Sequence, residues 1–375
     1  MTILRIAICF GTFPPERNGG SDFVARFAPA LAAAGCDVHV FTSPAAGAPE
    51  LEQPRHGVTV HRLVQDWSWP GGRESLRRLD DVLRAVEAQV VHVFFPDSVV
   101  GRRYQLVSLI GRGRLPLVTT FWNLGLGRRS PLPLRLAAAG LLARSSVVSS
   151  HDPSYIAALR RLLLQRKPVR WLPVGSNFEA AERRRTGGPL TLGFFGQLDF
   201  TRGVDTLLEA LALLRRPEVK LVMLGSAGRP ERYEDDGEFR RLLALPATLG
   251  IAGQVEWTDY LSDEEVPQRL ADLDLCVLPY RRNSLGRSAL AAALAAGTPV
   301  VLGGRADRIG PLVAGRDVAL VAPDDAAGLA AELARLIDDS DERKRLAAAA
   351  RQAASLFSWE RIARDALALY REALA

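Results

Sequence analysis

Residues 3–10 form an almost unbroken apolar run, followed by a turn-rich loop that holds Pro14, Pro15, Gly19 and Gly20. A run of that length and character fits a strand buried on both faces. Ser21 and Asp22 are placed to cap a helix reaching about Ala34, and Gly35 stops it. Runs at 37–42, 58–63, 90–95 and 117–121 repeat the strand pattern, and a helix is predicted over about 74–87. After the Gly- and Pro-bearing stretch 186–189 the alternation restarts. Strands are predicted at 190–195, 220–225, 255–258, 275–279 and 299–302, with helices at about 204–215, 263–271, 290–296, 326–338, 341–353 and 359–374.

Apolar strands alternating with helices are the mark of parallel sheets covered on both faces, so the fold class is α/β with two doubly wound, Rossmann-like units. A chain of 375 residues also exceeds one ordinary core. The predicted domains are 1–178, 188–357 and a closing helix at 358–375. Ligands of such sheets bind at the carboxyl ends of the strands; if the two sets of ends face each other, the site is a cleft.

Four predicted strand-end loops hold candidate chemistry. In the first, Gly19 and Gly20 precede a helix, where exposed N–H groups and the positive helix end suit a phosphate; a flexible loop with a capped helix fits equally. It is not the GxGxxG dinucleotide fingerprint. The second runs from Gly196 through Gln197 and Arg202 to Gly203. Its Arg stands at a helix start, where a cation gains nothing from the dipole, so an anion partner is indicated. The third carries Ser284, Arg287, Ser288 and Ala289 into an Ala-rich helix. Its Arg281, Arg282 and Arg287 also fit ordinary surface charges. The fourth, with Tyr260 and Leu261, can bracket a base or simply turn the chain. His92, alone on an apolar strand, reads as a core residue rather than a base.

Charge modifies this picture. Net charge is +6, and residues 1–180 hold +9 (22 basic, 13 acidic) against −3 (26 basic, 29 acidic) for 181–375. The basic side chains are nearly all Arg. Arg102, Arg103, Arg112 and Arg114, then Arg160, Arg161, Arg166, Lys167 and Arg170, flank apolar stretches. Such mixtures suit an anionic membrane face as well as plain solvated helices. Aromatics are not interleaved with these runs, so no nucleic-acid partner is expected. Cys9, Cys36 and Cys276 lie far apart, with no metal spacing, and Cys9 and Cys276 sit in apolar runs. No apolar run reaches transmembrane length, so a cytoplasmic protein is expected, with any membrane contact peripheral.

The loops in this order resemble the GT-B glycosyltransferases of the large retaining family 4. The resemblance spans nearly the whole chain. It rests on Pro14-Pro15…Gly19-Gly20, Leu172-Pro173-Val174-Gly175-Ser176-Asn177 and the Gly196-to-Gly203 loop with Val204-Asp205-Thr206-Leu207-Leu208. Ala295-Ala296-Gly297-Thr298-Pro299-Val300-Val301, Gly315…Val321-Ala322-Pro323-Asp324 and Phe357-Ser358-Trp359 complete it.

The resemblance implies transfer of a sugar from a nucleotide-sugar donor to an acceptor hydroxyl of a polysaccharide, lipid-linked or small-molecule glycan, with retention. No metal or resident cofactor is implied; the nucleotide-diphosphate sugar is the substrate. It also implies a closing helix that crosses back to the first domain. Arg202, Arg287, Gln197 and Ser288 would then clamp the diphosphate, with Gly196, Ser284 and Ala289 beside it and Gly19 and Gly20 closing from the first domain. Tyr260 and Leu261 would bracket the base.

The departures are specific. Of the family's Arg and Lys in the phosphate loop, only Arg202 remains, with Gln197 at the other place. The Glu-x7-Glu pair falls on Ser284 and Ala292, and the acceptor-domain His falls on Trp122. A branch of the family with Ser and Arg in place of Glu is similar here. A non-catalytic nucleotide-sugar-binding protein and a nucleotide-sugar epimerase are the alternatives.

Overall fold

The computed structural model describes residues 3–16, 18–65, 67, 72–95, 107–111, 115–122, 131–198, 200–225, 237–258, 261–282, 285–305 and 308–375. Two compact units divide the chain, Met1–Gly175 with Ser358–Ala375, and Ser176–Phe357.

The first unit contains β1 (Leu4–Cys9), α1 (Gly19–Ala33), β2 (Cys36–Thr42), β3 (Leu51–Arg55), β4 (Val58–Arg62), α2 (Arg73–Ala85), β5 (Val90–Phe95), β6 (Leu117–Phe121), α3 (Leu132–Arg144), β7 (Val147–Ser150), α4 (Ser154–Leu162) and β8 (Val169–Trp171). Its sheet runs β3-β4-β2-β1-β5-β6-β7-β8, parallel throughout except for the antiparallel β3–β4 pair.

Side chains of β1 alternate between two cores. Ile6 and Ile8 pack with Val24 and Phe27 of α1, while Ala7 and Cys9 join Phe41, Leu79 and Leu141 on the other face. That period of two is why the strand is apolar at nearly every position. The last helix of the chain (Trp359–Leu374) also belongs to this unit, and its Ile362, Ala366 and Tyr370 complete the α1 face.

The second unit holds β9 (Thr191–Phe195), α5 (Val204–Leu214), β10 (Lys220–Leu224), α6 (Gly237–Thr248), β11 (Val255–Trp257), α7 (Glu265–Ala271), β12 (Leu275–Leu278), α8 (Ser288–Ala295), β13 (Val300–Gly303), β14 (Arg308–Ile309), β15 (Leu312–Val313), β16 (Ala319–Val321), α9 (Ala326–Asp338) and α10 (Ser340–Ala354); Trp359–Leu374 is then α11. Its main sheet, β11-β10-β9-β12-β13-β16, is wholly parallel. Strand order reverses between β9 and β12, the topological switch point where ligands of open α/β sheets bind.

One cap differs from expectation. Helix α1 starts at Gly19, and its N-cap is Asn18, whose side chain accepts from the N–H groups of Gly20 and Ser21, both at 3.0 Å. Ser21 instead turns inward and donates to the Glu16 carbonyl at 2.6 Å. Asn18, Ser21 and Asp22 all have capping chemistry; the helix starts at Gly19, so the cap falls on Asn18, three residues before Ser21.

Candidate active site

Three features bring the loop after β12 against the loop after β9 and the end of β13. Gly203 (φ +67°) would, as any other residue, place a Cβ 2.2 Å from the Pro279 carbonyl oxygen. Gly303, at the end of β13, would place one 2.3 Å from the Tyr280 oxygen and 2.6 Å from its nitrogen. Between the loops, the Arg281 N–H donates to the Thr201 carbonyl at 2.9 Å. Glycine is required at both positions because backbone, not a yielding side chain, occupies the space.

Tyr280 lies at the centre of this junction and is wholly buried. The Arg287 guanidinium carbon lies 5.0 Å from its ring centroid and that of Arg202 5.8 Å. Arg287 Nη2 also donates to Thr201 Oγ1 at 2.6 Å. Gly196, at φ +136°, lies directly beside Arg202, since a Cβ there would stand 2.6 Å from Nη1. Burial pushes the Tyr280 phenol above its ordinary pKa, and the two guanidiniums oppose that shift.

The predicted residues therefore separate into groups. Gly196, Arg202 and Arg287 converge. Ser288 opens α8, and Ala289 is buried behind it. Gln197 is exposed at the rim of the β9 loop. Leu261 is half-buried, whereas Tyr260 and Ser284 lie outside the described residues, as do Arg102, Arg103, Arg112 and Arg114. The strand end before Leu261 has a structural task. Thr258 Oγ1 accepts from the Gly225 N–H at 2.8 Å and donates to the Met223 carbonyl at 3.2 Å.

Gly19 and Gly20 start α1 in the first unit, and the Gly20 N–H that a phosphate would need is taken by Asn18. The Phe10 ring explains Gly20 better, since a Cβ there would lie 2.4 Å from its Cζ. Arg281, one of the three arginines with an open reading, is a tie. Its Nη2 donates to both oxygens of Asp205 at 2.9 Å and its Nε to Asp324.

Tyr280 itself carried no signal in the sequence beyond ending an apolar strand.

In the first unit His92 is a satisfied core residue. Its Nδ1 lies 2.8 Å from Tyr370 Oη and its Nε2 2.7 Å from Thr120 Oγ1. Burial, then the nearby His151, holds its pKa down to about 3. Trp122 stands against His151 with ring centroids 3.9 Å apart. His151 donates from Nδ1 to the Leu172 carbonyl at 2.8 Å and, held down to about 3 by burial, stays neutral.

Residues 17–179 match the family model for glycosyltransferase family 4, and residues 176–353 match the model for glycosyl transferases group 1. The chain belongs to this glycosyltransferase family. It is 27% identical to a glycogen synthase of Mycobacterium tuberculosis, over 98% of this chain and 94% of that one.

Among solved structures, a sucrose-phosphate synthase from Thermosynechococcus elongatus superposes with a TM-score of 0.79, at 21% identity and 98% of each chain. The Anabaena protein HepE, solved with UDP and glucose, gives 0.73 at 18% identity, over 97% of this chain and 98% of that one. The fold is GT-B, with two parallel-sheet α/β domains. No helix among the described residues is long and apolar enough to cross a membrane.

Proposed function

We propose that this glycosyltransferase takes a nucleoside-diphosphate sugar as donor and moves the sugar, with retention, to an acceptor hydroxyl of a glycan or lipid-linked glycan. The observation that carries the reading is the convergence of Arg202 and Arg287 at the switch point of the second unit. Two forked guanidiniums there match the two phosphates of a diphosphate, with the N-terminus of α8 at Ser288 adding N–H donors. Binding of UDP by the Anabaena protein of the same fold is consistent with such a donor.

In the reaction the bond from the anomeric carbon to the diphosphate oxygen breaks, and the bond from that carbon to the acceptor oxygen forms on the same face. The hydroxyl proton passes to the departing diphosphate. Negative charge grows on the leaving group, and the guanidiniums are fixed in advance where it develops. They supply the positive charge that a divalent ion would otherwise bring, so the reading requires no metal. The missing carboxylate at Ala292, buried inside α8, removes one family contact to the sugar and leaves the diphosphate clamp untouched.

The acceptor reading extends to lipid-linked glycans because the first unit carries a basic, apolar corner. Leu162 and Leu164 are exposed beside exposed Arg160, Arg161 and Arg166, and no carboxylate occurs between Ser154 and Trp171. Co-sedimentation with anionic vesicles at low salt tests that extension.

The donor reading is tested by calorimetry with UDP, GDP, ADP and their glucose conjugates on the wild-type chain, Arg202→Ala and Arg287→Ala. One nucleotide should bind, and each substitution should weaken it about tenfold or more. Unchanged affinity in both variants would remove the clamp. Donor binding without transfer to any acceptor would favour the non-catalytic alternative.

A further inference from the structure

Arg202 and Arg287 arrive from loops after different strands, yet both guanidiniums are set over one aromatic ring. Both carry like charge on flexible stems, Arg287 being also bonded to Thr201 Oγ1, and an attractive group that the two share opposes their repulsion. The electron-rich face of a tyrosine attracts cations, most strongly where water is excluded. Tyr280 is wholly buried, which encloses its ring, and its backbone packs directly against Gly303. The adjacent Arg281 is locked by Asp205 and Asp324, and its N–H is bonded to Thr201, the residue before Arg202. The ring is therefore fixed with respect to both loops.

We propose that Tyr280 is a positioning residue whose ring face holds Arg202 and Arg287 at the spacing a diphosphate requires. The inference rests on reading those arginines as the diphosphate clamp. It predicts that the ring, rather than its hydroxyl, is what matters. Without the ring the guanidiniums separate before the ligand arrives, and binding must bring them back together.

The test compares Tyr280→Phe, Tyr280→Met, Arg202→Ala and Arg287→Ala in the full chain, titrated with the best-bound nucleoside diphosphate and with its parent nucleoside. The readout is the ratio of the two affinities, because damage to the fold lowers both together. Tyr280→Phe should stay within about threefold of wild type, and Tyr280→Met should lose about tenfold in the ratio with nucleoside affinity retained.

Should Tyr280→Met fail to fold, phenylalanines of increasing ring fluorination at position 280 weaken the ring face without changing its shape. The ratio should then fall stepwise with fluorination. An unchanged ratio in Tyr280→Met or across the fluorinated series overturns the inference, as does a Tyr280→Phe loss equal to that of Met. If the two arginine variants also keep the ratio, the clamp itself is wrong; if they lose it, only the role of Tyr280 falls.

Discussion

Tyr370 Oη lies 2.8 Å from Nδ1 of His92, so the closing helix and β5, 278 residues apart, share a buried polar bond. The bond does not end there. His92 Nε2 reaches Thr120 Oγ1, and that hydroxyl lies 2.5 Å from Ser149 Oγ, which carries the chain of polar groups across β5, β6 and β7. Every member is buried. A polar network in an apolar core is favourable only while each member keeps its partner, so α11 is fastened to the sheet by specificity as well as by its apolar face.

Tyr370→Phe removes one partner and leaves a ring nitrogen of His92 buried without it. The expected cost is about 1–3 kcal/mol, confined to the first unit. Hydrogen exchange of the β5 and β6 amides reads that unit separately from the second. Protection equal to wild type would show that packing alone fastens α11.

The buried histidines also set an acid limit. Burial holds His92 and His151 down to about 3, and burial with the neighbouring His39 holds His61 down to about 4. In the unfolded chain each protonates near pH 6.5, so between about 6.5 and these lower values the unfolded state binds more protons. Stability is therefore full above pH 6.5 and is lost as pH falls. Well below 6.5 the loss is about 1.4 kcal/mol per pH unit for each histidine. Amide protection in the first unit should drop between pH 7.5 and 5, and His61→Gln should shrink the drop by about a third. A flat profile over that range would contradict the burial of these rings as neutral species.

Which parts of this were legible in the sequence follows from how each residue is satisfied. Val90–Phe95 and Leu117–Phe121 are apolar along their length because both faces are covered, and their limits are read directly from the pattern. Val147–Ser150 is just as buried, but half of it is serine. Ser150 Oγ donates to the Phe121 carbonyl and Ser149 bonds Thr120, so polar side chains pass as core through partners that no periodicity reveals. The site divides in the same way. Arg202 stood out as a cation at a helix start, where the local dipole disfavours it, whereas Arg287 also fitted an ordinary surface charge. Tyr280 has no such local conflict, and only the meeting of two loops distant in sequence gives it a role.

At the first helix the expected phosphate cradle and the observed cap make different predictions. Asn18→Ala frees the N–H groups of Gly20 and Ser21 and should cost about 1 kcal/mol of stability. Gly20→Ala drives a methyl into Phe10 and should destabilise the first unit, while the affinity for a nucleoside diphosphate stays near wild type. Thermal unfolding and calorimetry on both variants decide the matter. Affinity lost in step with the Gly20 substitution would restore the phosphate-binding role.

Gly196 offers the sharpest test of the clamp geometry, because its backbone and its neighbour make separable demands. At φ +136° any other residue is strained, at a cost of about 1–3 kcal/mol. Its Cβ would also meet Arg202 Nη1 at 2.6 Å, and a guanidinium on a flexible stem gives way before backbone does. Gly196→Ala should therefore lower stability and also displace the charge, weakening nucleoside-diphosphate binding about tenfold. Arg202→Ala alone should weaken binding without the backbone strain. In the double variant the stability loss from position 196 should persist in full, while no further affinity is lost, since the displaced group is already gone. Calorimetry on the four proteins measures the coupling. Additive affinity losses would mean that Gly196 acts on the ligand through its own backbone rather than through Arg202.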